Sequence, residues 1–95
     1  MKQIMSKYRK LPVIIEAESV TELIYNAKNN WSALPNWIKE NYEKGKIFFL
    51  NNSIEIMTDE GRMRGEKNDY IIKGIHNEIY PCKPDIFNLT YEKLD

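Results

Sequence analysis

At Lys46 the spacing of apolar residues switches from a helical period to a period of two, and that switch decides most of what the chain can become. Before it, Val20, Leu23, Ile24 and Ala27 recur on one helical face. Ser19 with Glu22 three residues later is a capping-box pattern. A helix is expected over residues 20–28, ended by Asn29-Asn30. A second follows over residues 34–44, with Leu34, Trp37, Ile38 and Tyr42 on one side and Lys39, Glu40 and Glu43 toward water. Pro35 suits only its first turn, and Gly45 stands where a helix end takes a left-handed residue. Beyond Lys46, Ile47 and Phe49 point one way and Phe48 and Leu50 the other. Asn51-Asn52 turns the chain, preferred there for the positive φ of tight hairpins, and Ile54 and Ile56 alternate on the way back.

The alternation continues as far as Tyr80. Asp59-Glu60-Gly61 reads as a turn and Arg62-Met63-Arg64 as a short strand broken from Gly65. Tyr70-Ile71-Ile72-Lys73 and Glu78-Ile79-Tyr80 form a further hairpin about His76-Asn77. Pro81 and Pro84 are expected to halt regular structure before a helical turn at Asp85-Ile86-Phe87-Asn88. Thr90-Tyr91-Glu92 is then a closing strand. Ahead of the helices, Val13-Ile14-Ile15-Glu16-Ala17 follows Pro12 as a strand. Residues 1–6 show no period and are expected to fray. The expectation is one α+β domain over residues 1–95, an antiparallel sheet of five to six short strands, open to closing as a barrel, with two helices packed on it. The connections are too short for parallel crossovers.

Ninety-five residues supply one core and no separate catalytic domain. Fourteen basic residues balance fourteen acidic ones. That argues against nucleic acid or an anionic membrane as the main partner, since both demand a basic surplus. No apolar run is long enough to span a bilayer and none resembles a signal segment. The single cysteine, Cys82, excludes an internal disulfide and suits a reducing compartment, so a cytoplasmic location is expected.

Candidate chemistry is sparse. His76 is the lone histidine, so a metal site would need Cys82 and carboxylates at no recognisable spacing. Its ordinary reading is a solvated turn residue. Cys82, six residues on, has no orienting third group, and free cysteine is usually a small buried hydrophobe. No catalytic residue, metal or cofactor is expected. Lys7, Tyr8, Arg9 and Lys10 together with Arg62, Arg64, Lys67 and Tyr70 are candidates for a basic rim that binds phosphate or a nucleotide. Asp59, Glu60 and Glu66, interspersed among the second group, fit an ordinary mixed-charge surface instead. Gly61 and Gly65 lack the Lys-Ser/Thr of a phosphate loop. Trp31, Trp37, Tyr42, Phe48, Tyr70, Tyr80, Phe87 and Tyr91 must mostly build core, and any left on the surface would mark a binding patch.

Asn68-Asp69-Tyr70-Ile71-Ile72-Lys73-Gly74, followed by Glu78-Ile79-Tyr80-Pro81-Cys82-Lys83-Pro84-Asp85-Ile86-Phe87, resembles the C-terminal half of a family of small phage and prophage proteins named for a PGDYG motif. Tyr8 through Ala17 is similar to that family's start, and Pro35-Asn36-Trp37-Ile38 through Ile47 to its central helix and following strand. The likeness covers nearly the whole chain after Ser6, with Tyr80 through Phe87 its most specific part. Lys67-Asn68 replaces the family's Pro-Gly, and Asn68 is expected to take the same left-handed turn. Asn77 replaces a turn glycine in the same way, and Glu18-Ser19 stands where Gln-Trp often follows the first strand.

The resemblance implies a phage or prophage origin and carries no catalytic residues. By association with other small phage proteins, it implies non-covalent inhibition of a host bacterial defence or regulatory protein, such as a CRISPR effector. Two other classes stay open. One is a sponge that sequesters a signalling nucleotide on the basic rim, and the other a minor virion or DNA-metabolism component. The oligomeric state is open, a homodimer included.

Overall fold

The computed structural model describes residues 5–95; the four residues before them, part of the stretch expected to fray, lie outside the described residues. The fold is α+β. Its elements run β1 (Glu16–Ser19), α1 (Val20–Asn29), a 3₁₀ turn (Trp31–Ala33), α2 (Asn36–Glu43), β2 (Ile47–Phe49), β3 (Ser53–Thr58), β4 (Gly61–Glu66), β5 (Tyr70–Lys73), β6 (Ile79–Cys82) and α3 (Pro84–Thr90). The strands divide into two three-stranded antiparallel sheets, ordered β1-β5-β6 and β2-β3-β4. Neither closes into a barrel.

Local chemistry sets the helix ends. The Ser19 hydroxyl accepts a hydrogen bond from the Glu22 amide at 3.1 Å, half of the expected capping box. The other half is replaced, because the Ser19 amide donates to the carboxylate of Glu18 rather than of Glu22. α2 begins after Pro35, so Leu34 precedes the helix instead of opening it. It ends in a Schellman motif, in which Gly45, at φ 74°, donates to the Tyr42 carbonyl and Lys46 to that of Asn41.

One core lies between the helices and both sheets. Val20, Leu23 and Ile24 of α1 meet Leu34, Ile38, Ile47, Ile54, Ile56, Ile71 and Ile79 there. The β2–β3 register sets Ile47 opposite Ile56 and Phe49 opposite Ile54, so their side chains share the inner face. Gly65 of β4 lies against the other sheet. A Cβ there would sit 2.9 Å from Ile71 Cδ1 and 3.1 Å from Val20 Cγ2, so any side chain at this position forces those core methyls to shift.

The other face of β5 is covered separately. Tyr70 stacks on Phe87 of α3 with centroids 3.9 Å apart and planes 10° from parallel, and Tyr91 packs on Phe87 in turn. Ile72, on the Tyr70 side of the strand, is fully buried. Burial pushes the Tyr80 phenol well above its ordinary pKa, helped by a hydrogen bond with Tyr91.

Several sequence expectations are corrected. Val13-Ile14-Ile15 is not paired as a strand; β1 starts at Glu16, because its partner β5 ends at Lys73, and Gly74 turns to donate to the Glu78 carbonyl. Pro81 does not halt regular structure but lies inside β6, opposite Ile71. β6 is an edge strand, and that pairing directs the missing N–H to its open side. Thr90-Tyr91-Glu92 is not a strand; α3 runs to Thr90, and Tyr91 caps it through its amide to the Phe87 carbonyl. Asn51-Asn52 turns without positive φ, and so does Asn68. Among the described residues Asn77, at φ 64°, is the one non-glycine in the left-handed region.

Candidate functional site

A groove of about 680 Å³ runs between the C-terminal half of α1, the 3₁₀ turn, α2 and the outer edge of β2. It is lined by Ile24 and Ala27, by the rings of Trp31, Tyr42 and Phe49, and by Phe48 and Leu50. Trp31 meets Tyr42 edge to face at 4.9 Å and Phe49 at 5.9 Å, while Tyr42 and Phe49 lie 5.8 Å apart. Rings this close pack against one another and leave no gap for a cation between them. They present a firm apolar wall. Trp31, Tyr42, Phe48 and Leu50 nevertheless each remain 40–45% exposed, so the wall is only partly covered.

The backbone beside that wall is also unsatisfied. The Leu50 amide donates to the Ser53 carbonyl and the Met57 amide to that of Lys46, both at 2.9 Å. These bonds fix the alternation of the ladder, so Lys46, Phe48 and Leu50 turn their peptide groups toward β3. Ile47 and Phe49 turn theirs away from β3, where no hydrogen bond among the described residues occupies them; Ile47 is fully buried there, whereas Phe49 lines the groove. An open strand edge beside an aromatic wall can accept an extended peptide, with backbone bonds giving affinity and the apolar wall giving selectivity.

The residues proposed from sequence fall in two places. Arg62 and Arg64 lie on the solvent face of the β2-β3-β4 sheet, and both close on Glu55 of the neighbouring strand, at 3.4 Å and 2.9 Å. The Arg64 hydrogen bond holds the Glu55 carboxyl below its ordinary range, with both guanidinium charges adding to it. Lys10 lies 5.1 Å from the centre of the Tyr91 ring, which connects through Phe87 to Tyr70. One face of Tyr70 is taken by Phe87, while Tyr8 and Arg9 are exposed. Among the described residues no ion pair or ring contact joins the Arg62–Arg64 group to the Lys10–Tyr70 group.

Cys82 sits at the end of β6 away from the turn that carries His76. Burial, with Asp69 and Asp85 nearby, pushes its thiol up and keeps it protonated near neutral pH. Asp69 is the polar residue that sequence reading passed over. It is buried, accepts from the Glu66 amide at 2.8 Å and from Lys83 Nζ at 3.1 Å, and ties the end of one sheet to the start of the other. A second, polar groove of about 470 Å³ is lined by Glu16, Pro35, Asn36, Trp37, Glu40 and Lys73. Its ammonium is already paired with Glu16 at 3.4 Å.

Trp31, Tyr42 and Phe48 belong to the aromatic surplus visible in the sequence, whereas Leu50 and the outward peptide group of Phe49 had no sequence signal. Among the described residues no helix is long and apolar enough to cross a membrane. Models of known families, curated proteins and solved structures yield no match to the chain.

Proposed function

We propose that the protein acts by non-covalent binding, as a phage or prophage inhibitor of a host bacterial defence or regulatory protein, and that it holds this partner at the β2 edge. The reading is supported chiefly by one observation: Trp31, Tyr42, Phe48 and Leu50 are exposed around the groove, beside the outward peptide group of Phe49. Contact patches that carry affinity are built from large aromatic side chains of this kind on a preformed apolar floor. The nucleotide-sponge alternative is weakened, because Arg62 and Arg64 share one carboxylate and the groove offers Lys28 as its one charged lining residue. The phage setting rests on the resemblance of residues 68–87 to the PGDYG-motif proteins.

The test is parallel capture from a bacterial host lysate with tagged native protein and with Phe48→Glu. A stoichiometric host protein that appears with the native chain and vanishes with the variant supports the reading. Equal capture by both, or a nucleotide retained with no protein, overturns it.

A further inference from the structure

β1 is an edge strand, and the residues that lead into it make a second open edge, independent of the groove. In the order β1-β5-β6 its outer side faces no strand. The last pair to β5 is Glu16 with Lys73, and the chain N-terminal to it runs on without a strand partner, with Lys10 over the Tyr91 ring. No backbone hydrogen bond of a turn, loop or strand involves residues 5–15 among the described residues. Yet Val13-Ile14-Ile15 is as strong a strand sequence as the chain contains, and Leu11 and Ile14 are 75% and 79% exposed.

The direction of the unpaired peptide groups follows from the ladder. The Val20 amide donates to the Asp69 carbonyl, so Glu16, Glu18 and Val20 direct their peptide groups toward β5. Ala17 and Ser19 direct theirs outward. Continuing the alternation N-terminally sets Leu11, Val13 and Ile15 outward as well. Pro12, which has no N–H, falls on an inward position, so the outer row from Leu11 to Ala17 has no missing donor.

The charges along this edge are ordered. Lys7, Arg9 and Lys10 come first, then the uncharged block Leu11-Pro12-Val13-Ile14-Ile15, then Glu16 and Glu18. Parallel pairing with an identical edge would lay like charge on like. Antiparallel pairing lays the basic end of one copy on the acidic end of the other, a self-complementarity that a two-fold axis requires.

We propose that residues 9–17 pair antiparallel with the same residues of a second copy, joining the two β1 edges into one six-stranded sheet. With Val13 on the two-fold axis, Leu11 lies opposite Ile15 of the partner subunit and Lys10 opposite Glu16 of the partner subunit. All outward peptide groups then fall in hydrogen-bonded pairs. Nine residues of strand span about 30 Å, long enough to bury the apolar block from both sides. The interface leaves the β2 groove free, so dimerisation presents two grooves on one particle.

The test is the mass in solution, measured by light scattering over a concentration series. The native chain is expected to form a reversible dimer of twice 11.3 kDa. Val13→Pro removes the outward N–H on the axis and is expected to give monomer with an unchanged circular-dichroism spectrum, since Val13 lies outside the core. Lys10→Glu is expected to raise the dimer dissociation constant several-fold, and adding Glu16→Lys to restore most of it. A native chain that stays monomeric at every concentration overturns the proposal. So does a dimer that Val13→Pro leaves intact, or one that Lys10→Glu does not weaken.

Discussion

β2 and β4 flank the same strand, and their open edges are built in opposite ways. β4 carries Arg62 and Arg64 on its solvent face, both drawn to Glu55 of β3, and its inner side is pinned to the second sheet at Gly65. Charged side chains on an edge discourage another strand from adding to it. β2 carries Phe48 on the same solvent face and runs beside Trp31 and Tyr42, with no charged residue in the strand itself. One edge of the sheet is defended and the other is left receptive. A protein with no use for an added strand would gain solubility by defending both, so the asymmetry points to β2 as the working edge.

The largest expected effect separates the edges by binding. Phe48→Glu places a carboxylate on the receptive side, and Trp31→Ala removes its wall. Each should weaken partner binding by about 2 kcal/mol or more, the loss expected of a contact hot spot, which titration calorimetry against the captured partner would read. Because both side chains are partly exposed already, the melting temperature should change little. A variant that unfolds instead would make these aromatics core rather than contact residues.

Gly65→Val is the complementary break on the β4 side. Its new methyl groups would press on Ile71 and Val20, and overpacking of this kind costs about 1–3 kcal/mol. In a domain of this size each kcal/mol lowers the melting temperature by about 4–8 °C. Calorimetric melting should show the drop, while residual folded protein keeps its partner affinity. Were Gly65→Val as stable as the native chain, the close approach of the two sheets would not be a constraint.

The smallest effect concerns the guard charges. Arg62→Ala with Arg64→Ala should leave partner binding unchanged and stability nearly so, because exposed ion pairs are screened by solvent. The pH dependence has a definite sign. Arg64 depresses the Glu55 pKa from its ordinary 4.5, so the contribution is complete above that value and is lost as the carboxylate protonates below it. Melting between neutral and acid pH should therefore show slightly steeper acid destabilisation in the native chain than in Glu55→Gln. A double-arginine variant that lost the partner would move the working surface to β4 and revive the sponge.

Much of this molecule was legible before its structure. The period switch at Lys46 places the helices and the hairpin, Ser19 starts α1, and Gly45 ends α2 as a left-handed residue should. Period two, however, says which face a residue occupies and not which strand lies alongside it. Nothing in the residues announced that the strands would split three and three, or that β5 would end at Lys73 and leave Val13-Ile14-Ile15 without a partner. The close packing at Gly65 was read as a break for the same reason, since its cause is two residues of other elements, Ile71 and Val20. The site was visible only as a surplus of aromatics. Which of them stay exposed depends on the 3₁₀ turn at Trp31, whose polar neighbours Asn30 and Ser32 hold it by a side-chain bond at 2.9 Å.

Amide hydrogen exchange, read residue by residue on the free protein and on its complex with the captured partner, tests the β2 edge most directly. Strand addition at the groove predicts that the Phe49 amide, which has no hydrogen-bond partner in the unbound protein, becomes strongly protected in the complex while the β4 edge stays as it was. Protection that appears along β4, or leaves Phe49 unchanged, would contradict the assignment of β2 as the binding edge.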